Sequence, residues 1–260
     1  MVAFSDTIKN IRAKLAVLKT KLSSKDKRLK ILHDLQQLAD SRPNDMRVQI
    51  KIADTYYKLQ EWDKAIATMD LVANSYIEQD FPQKAIASYK KMLMINPNLS
   101  STNEKLAKLY EKIGQKQDAV IQYRIALQNY YSLGNQEKII AVTKKIAELD
   151  SSLLNKRHLA EIYQAFGMMN EALQEFETVA QLYRQNKQFD ELLKLYEIIL
   201  PHKPTNHSLI RDVCILYLRK QQPEHAIKTI EKYKVDTDPA FNDLYEKAKL
   251  MKKALRTAKN

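Results

Sequence analysis

The side chains in this sequence that could do chemistry are one cysteine, Cys214, five histidines and fourteen tyrosines. Catalysis or metal binding needs such groups at set spacings. His33, His158, His202, His207 and His225 show neither a His-Glu-x-x-His pair nor a partner pair of cysteines, so no metal site is expected. His202 and His207 share the segment PHKPTNH, which reads as a solvated loop. The three glycines stand far apart and cannot form a phosphate cradle. No cofactor is expected, and no enzymatic activity.

The tyrosines do follow a rule. Ala65, Ala85, Ala119, Ile139, Ala172, Leu192 and Ala226 act as anchors of one frame, separated by 20, 34, 20, 33, 20 and 34 residues. Nine residues before each anchor stands a tyrosine: Tyr56, Tyr76, Tyr110, Tyr130, Tyr163, Tyr183 and Tyr217. Three residues earlier the side chain is small (Ala53, Ala73, Ala107, Ala160, Ala180, Cys214), with Leu127 the exception. Four residues after each anchor come Met69, Tyr89, Tyr123, Thr143, Phe176, Tyr196 and Ile230. The copy holding Leu127, Ile139 and Thr143 is the most degenerate. Offsets of three and four are helical neighbours, so each pair shares one helix face. A small residue lets two helices approach, and the tyrosine one turn on fills the space between successive pairs. On this pattern Cys214 is a packing residue, and ten of the fourteen tyrosines belong to the core.

This frame resembles the tetratricopeptide repeat (TPR), most clearly in Ala73–Tyr76–Ala85–Tyr89–Pro97 and Ala107–Tyr110–Gly114–Ala119–Tyr123–Ala126. The likeness covers about residues 25–235. The family's leading tryptophan is absent, and its terminal proline appears only at Pro43, Pro97 and Pro204. The 20/34 alternation defines a three-helix super-repeat of 53–54 residues. Helices A are expected at about 45–59, 99–113, 152–166 and 205–219. Helices B are expected at about 62–79, 116–133, 169–186 and 222–234, and helices C at about 82–95, 136–149 and 189–201. Gly114, Gly134 and Gly167 each lie five residues before an anchor, where a left-handed residue ends a helix. The expected fold is all-α, a TPR-like right-handed helical solenoid of about 13–14 helices stabilised by nearest-neighbour stacking.

Carried backward, the frame places anchors at Ile31 and Ile11, a helix C in LKILHDLQQLADSRP and a basic capping helix over residues 1–24. The repeat array is expected over 25–235. Asp238-Pro239 signals the start of a C-terminal capping helix within 236–260, with the face Phe241, Leu244, Tyr245, Ala248, Met251 and Leu255, followed by a basic tail.

In the resembled family the helix face beside the motif tyrosine lines a concave groove. On that mapping the partner-binding candidates are Arg47, Lys51, Asp54, Tyr57, Lys58, Lys105, Lys108, Arg124, Tyr131, Arg157, Glu161, Arg211 and Arg219, with His158 beside them. The set is more basic than acidic and favours a ligand with acidic groups. The family's carboxylate clamp is not present: Asp70 stands where a clamp lysine belongs, and groove asparagine occurs only at Asn74.

The net charge of +12 sits at the ends: residues 1–30 carry +7, residues 246–260 carry +5, and the body sums to zero. The stripe Phe4, Ile8, Ile11, Leu15, Leu18 and Leu22 has lysines opposite. The basic ends admit RNA or a peripheral anionic membrane as partners. No apolar run reaches the roughly 18 residues of a transmembrane span. The opening MVAFSDTIKNIRAKLAVLK lacks a secretory apolar core, so a cytoplasmic protein is expected. The resemblance implies a non-enzymatic scaffold or adaptor that holds another protein, as a peptide, helix or small domain, in its groove. Bacterial motility, polarity and secretion machinery uses proteins of this sort. The alternative is an RNA- or membrane-associated adaptor using the basic termini.

Overall fold

A computed structural model of the chain describes residues 24–43 and 45–257. Among these residues every regular element is a helix. α1 covers 24–41. There follow α2 (Met46–Lys58), α3 (Trp62–Glu78), α4 (Pro82–Ile95), α5 (Ser100–Lys112), α6 (Lys116–Ser132) and α7 (Gln136–Leu149). Next come α8 (Leu153–Ala165), α9 (Met169–Gln185), α10 (Phe189–Ile199), α11 (His207–Arg219), α12 (Pro223–Lys232) and α13 (Asn242–Thr257). The A, B and C helices thus fall where the anchor frame puts them, to within a few residues at the ends. The stack of hairpins is TPR-like.

The chain divides into two compact units, Met1–Val142 and Thr143–Asn260, and the division falls inside α7. In the first unit α2 packs on α3, α3 on α4, α4 on α5 and α5 on α6. In the second, α8 packs on α9, α9 on α10, α10 on α11, and α12 lies between α11 and α13. Within each unit these packed pairs are mostly sequence neighbours, as expected of stacked repeats.

All seven anchors are buried, as are the six small residues with Leu127 in the seventh place, and all seven side chains one turn after the anchor. Tyr89, Tyr123, Phe176, Ile210 and Ile230 are among the largest fully enclosed groups, each worth about 1.5–3 kcal/mol of burial. Five motif tyrosines are buried, while Tyr56 and Tyr76 are half-buried.

The motif tyrosine also ends its helix. The carbonyls of Tyr56, Tyr76, Tyr110, Tyr130, Tyr163, Tyr183 and Tyr217 each accept from the N–H five residues on, at 2.8–3.1 Å. That bond is the outer closure of a Schellman turn. The residue inside the loop must be left-handed. It is Gly114, Gly134 or Gly167 in three turns, at φ 81°, 64° and 77°. In the other four it is Gln60, Asp80, Lys187 and Gln221, at 56–64°.

The backward extension of the frame holds in part. The helix expected in LKILHDLQQLADSRP lies within α1, which covers 24–41. The frame makes Ile31 an anchor, but Ile31 is 51% exposed. α1 instead turns Leu32, Leu35 and Ala39 onto Val48, Ile52 and Tyr56 of α2. The expected capping helix over 1–24 lies almost wholly outside the described residues. At the other end, the Asp238 carboxylate accepts from Ala240 N–H at 2.9 Å, and a 3₁₀ turn at Pro239–Phe241 leads into α13. Phe241, Leu244 and Ala248 are buried there.

Candidate functional site

The groups with intrinsic chemistry are committed to packing. Cys214 is enclosed, its thiol directed at the Ala226 carbonyl, and burial pushes the thiol up to about 12. It is protonated at neutral pH and is a weak nucleophile. His207 faces the Asp238 carboxylate at 3.2 Å, and His225 stacks on Tyr217. Among the described residues no three histidine, cysteine or acidic side chains gather as a metal site would require.

The tyrosine hydroxyls are tied down. Tyr130 donates to Glu104 at 2.8 Å, Tyr217 to Glu197 at 2.7 Å and Tyr123 to Glu111 at 3.1 Å. Tyr183 accepts from Arg157 at 2.9 Å. Burial first, and the Glu104 carboxylate second, push Tyr130 up to about 12. Burial works against charge on Glu104 as well, but Lys108, Lys138 and the Tyr130 hydroxyl outweigh it and hold that carboxyl down to about 2. These tyrosines are structural pins between successive helices.

The expected partner-binding residues fall into two groups. One is engaged inside the chain. Asp54 on α2 pairs with Lys91 on α4, and Lys105 on α5 reaches Asp70 on α3 at 2.7 Å. Lys108 and Lys138 close on Glu104 at 2.7 and 3.0 Å. Arg157 on α8 holds Glu161 at 2.8 Å and Glu191 of α10 at 3.6 Å. Arg211 donates to the Ala240 carbonyl and so fixes the turn before α13. The other group faces solvent. Arg47 extends almost free, with Asp45 4.0 Å away. Lys51 and Lys58 are exposed on the same face of α2, and neither has an ion-pair partner among the described residues. Tyr57 is 49% exposed and meets Trp62 edge to face at 5.0 Å. Arg124 and Tyr131 are exposed on α6.

Two adjoining clefts in the second unit contain residues that the sequence reading passed over. The larger, about 340 Å³, runs between α9 and α11 and is lined by Glu177, Gln181, Arg184, Tyr196, Asn206, Ser208 and Asp212. The smaller, about 170 Å³, is lined by Arg184, Phe189, Leu192, Tyr196, Asp212, Ile215, Leu216 and Arg219. Arg184 and Asp212 pair across the line they share, and Arg184 also donates to the Tyr196 hydroxyl at 2.7 Å. The Arg219 guanidinium carbon lies over Phe189, 3.9 Å from the ring centre. Of these residues only Arg219 was expected. Arg184 follows its motif tyrosine by one, as Tyr131 does, and Asp212 precedes its motif tyrosine by five, as Lys105 does, so the mapping reaches both positions although neither was among the candidates. Their proximity depends on how hairpins stack, which spacing within one helix does not reveal.

Residues 47–76 match the model of the tetratricopeptide repeat family. DnaJ homolog subfamily C member 3 of Gallus gallus is 23% identical over 233 residues. That match covers 84% of this chain and 46% of the relative, so the chain spans about half the relative's length. Similar solved structures include the TPR domain of P58(IPK), with 14% identity, a TM-score of 0.26 and coverage of 91% of this chain and 97% of that one. Another is BtubC from P. vanneervenii, with 14% identity, a TM-score of 0.32 and coverage of 81% and 88%. One stretch of the chain thus matches the tetratricopeptide repeat family, and the described residues fold as a TPR-like series of helices whose seven anchors are all buried.

Proposed function

We propose that this protein is a non-enzymatic scaffold that recruits another protein through the solvent-facing sides of its helices, in the cytoplasm. TPR proteins generally mediate protein–protein interaction, which sets the class. The observation that carries the reading here is the exposed Tyr57–Trp62 pair, with Lys58 next to Tyr57 and without an ion-pair partner among the described residues. Half-exposed Trp and Tyr side chains are the residue types that dominate binding energy at protein interfaces. No helix among the described residues is long and apolar enough to cross a membrane, which is consistent with a mobile adaptor. α13, lying on α12 and α11, would act as the array's C-terminal cap.

The nucleic-acid or membrane alternative draws less support. On α13, Lys249 pairs with Glu246 at 3.0 Å. Lys252 and Arg256 share Glu224 at 3.5 and 3.7 Å. The basic C-terminal end is thus partly compensated by its own acids.

The test is affinity purification on the full chain, compared with the double variant Tyr57→Ala, Trp62→Ala by quantitative mass spectrometry, then direct binding to the purified partner. A partner retained at moderate salt by the native chain and lost by the variant is the expected result. Capture dominated by nucleic acid, falling steeply with salt and abolished by Lys247→Glu with Lys253→Glu, would overturn it.

A further inference from the structure

We infer that the smaller cleft of the second unit is a recognition slot for a partner segment that carries an aliphatic side chain with a carboxylate close beside it. The inference rests on the scaffold reading above and supplies the chemistry of what is bound at one site.

The slot has an apolar floor and one charged edge. Leu192, Tyr196 and Leu216 form the buried base. Ile215, 40% exposed, and Phe189 form the walls. An exposed β-branched side chain beside a half-buried ring, above an already enclosed apolar base, leaves room for one aliphatic group and gains by covering it.

The charges around the slot do not cancel. Arg184 and Asp212 at one end satisfy each other, and Arg184 is further held by Tyr196. Arg219 at the rim has no carboxylate partner among the described residues, and Lys220 next to it is spent on Asp190 at 2.8 Å. The net field at the mouth is that of one cation. The Phe189 ring lies under the guanidinium carbon at 3.9 Å and holds it at the rim by a cation–π contact. A guanidinium is a planar fork that can take a carboxylate through two parallel hydrogen bonds. The larger cleft continues past the Arg184–Asp212 pair with neutral donors and acceptors on Gln181, Asn206 and Ser208. Such groups suit the main chain of a segment lying along it. A basic residue at the slot would face Arg219, and a wholly apolar segment would leave Arg219 stripped of water without compensation.

The experiment is selection of a displayed library of random short peptides on the full chain, followed by fluorescence-anisotropy titration of the fluorescein-labelled consensus peptide. Enriched peptides should share an aliphatic residue with Asp or Glu within about a helical turn of it. Arg219→Glu and Ile215→Glu should each weaken the consensus peptide by about tenfold or more, and Arg219→Lys by less, since charge remains and the planar fork is lost. Reselection on Arg219→Glu should replace the acidic residue by Lys or Arg. Both positions are at the surface, and an unchanged thermal midpoint by circular dichroism will show that the variants fold. A consensus peptide that binds both charge variants as tightly as the native chain overturns the slot while leaving the scaffold reading intact. Failure to enrich any peptide overturns the slot as well, while the scaffold reading stands or falls on the Tyr57→Ala, Trp62→Ala comparison.

Discussion

At the scale of single residues, the most consequential group is Glu104. It is nearly enclosed, yet it stays ionised because two lysines and a tyrosine hydroxyl converge on it. Its folded-state value of about 2 lies below the ordinary 4.5, so its contribution to stability is complete above pH 4.5 and disappears as pH falls toward 2. Replacing it by glutamine should therefore cost on the order of 2–3 kcal/mol at pH 7 and almost nothing near pH 2, as read from urea midpoints across pH. The sequence displayed Tyr130 as a core residue but assigned Lys108 to a partner, because spacing shows which face a side chain is on and not which neighbouring helix meets it. Thr143 is the converse case. Its place in the degenerate copy was visible from spacing, and it is indeed buried with its hydroxyl unpartnered. Arg184 and Asp212 escaped notice for a related reason, since a salt bridge 28 residues apart in sequence is a property of stacking.

At the scale of elements, the turn is the conserved device. Seven times the tyrosine carbonyl is closed by the same bond, and seven times the loop residue is left-handed. Three of these positions announced themselves as glycine. Gln60, Asp80, Lys187 and Gln221 did not, because a single left-handed non-glycine residue costs only about 1–2 kcal/mol, less than the turn and the packing of two helices return. Lys187→Gly should therefore raise stability by up to about 1 kcal/mol, and Gly134→Ala should lower it by about as much. A Cβ at Gly134 would meet no atom within 4 Å, so any loss there reports backbone strain alone. Chemical denaturation of the two variants checks both signs. The helices themselves were legible to within a few residues wherever the frame had a complete copy. At α1 the extrapolated helix is present but its anchor is not Ile31, since a helix at the end of a repeat series packs against what is present and not against the repeat that the frame would supply.

At the scale of the whole molecule, the two compact units make stability a local property. Repeat proteins behave as sums of unit and nearest-neighbour terms. The chain's one tryptophan, Trp62, belongs to the first unit, so its fluorescence reports that unit, while ellipticity reports every helix. Ile210→Ala in the second unit removes a fully enclosed side chain and should cost about 2–5 kcal/mol there. The ellipticity transition should shift or split, with the Trp62 midpoint unmoved. Movement of both signals together would show global cooperativity instead. The charge distribution seen in the sequence also belongs to this scale: the body sums to zero, and the fold joins acids and bases across helices in pairs such as Lys91–Asp54 and Lys105–Asp70.

The anchor spacing has one irregularity, 33 in place of 34, and its location is informative. The connection from α4 to α5 and that from the 3₁₀ end of α10 to α11 each hold four residues, at 96–99 and 203–206, whereas α7 to α8 holds three, at 150–152. Between A and B, or B and C, the tyrosine carbonyl sets the gauge and leaves no slack. Growth and loss of chain are therefore confined to these joints. A fluorescent tag, protease site or additional module inserted at 96–99, 150–152 or 203–206 leaves every helix in phase. The same insertion at 59–61 or 186–188 throws everything downstream out of step.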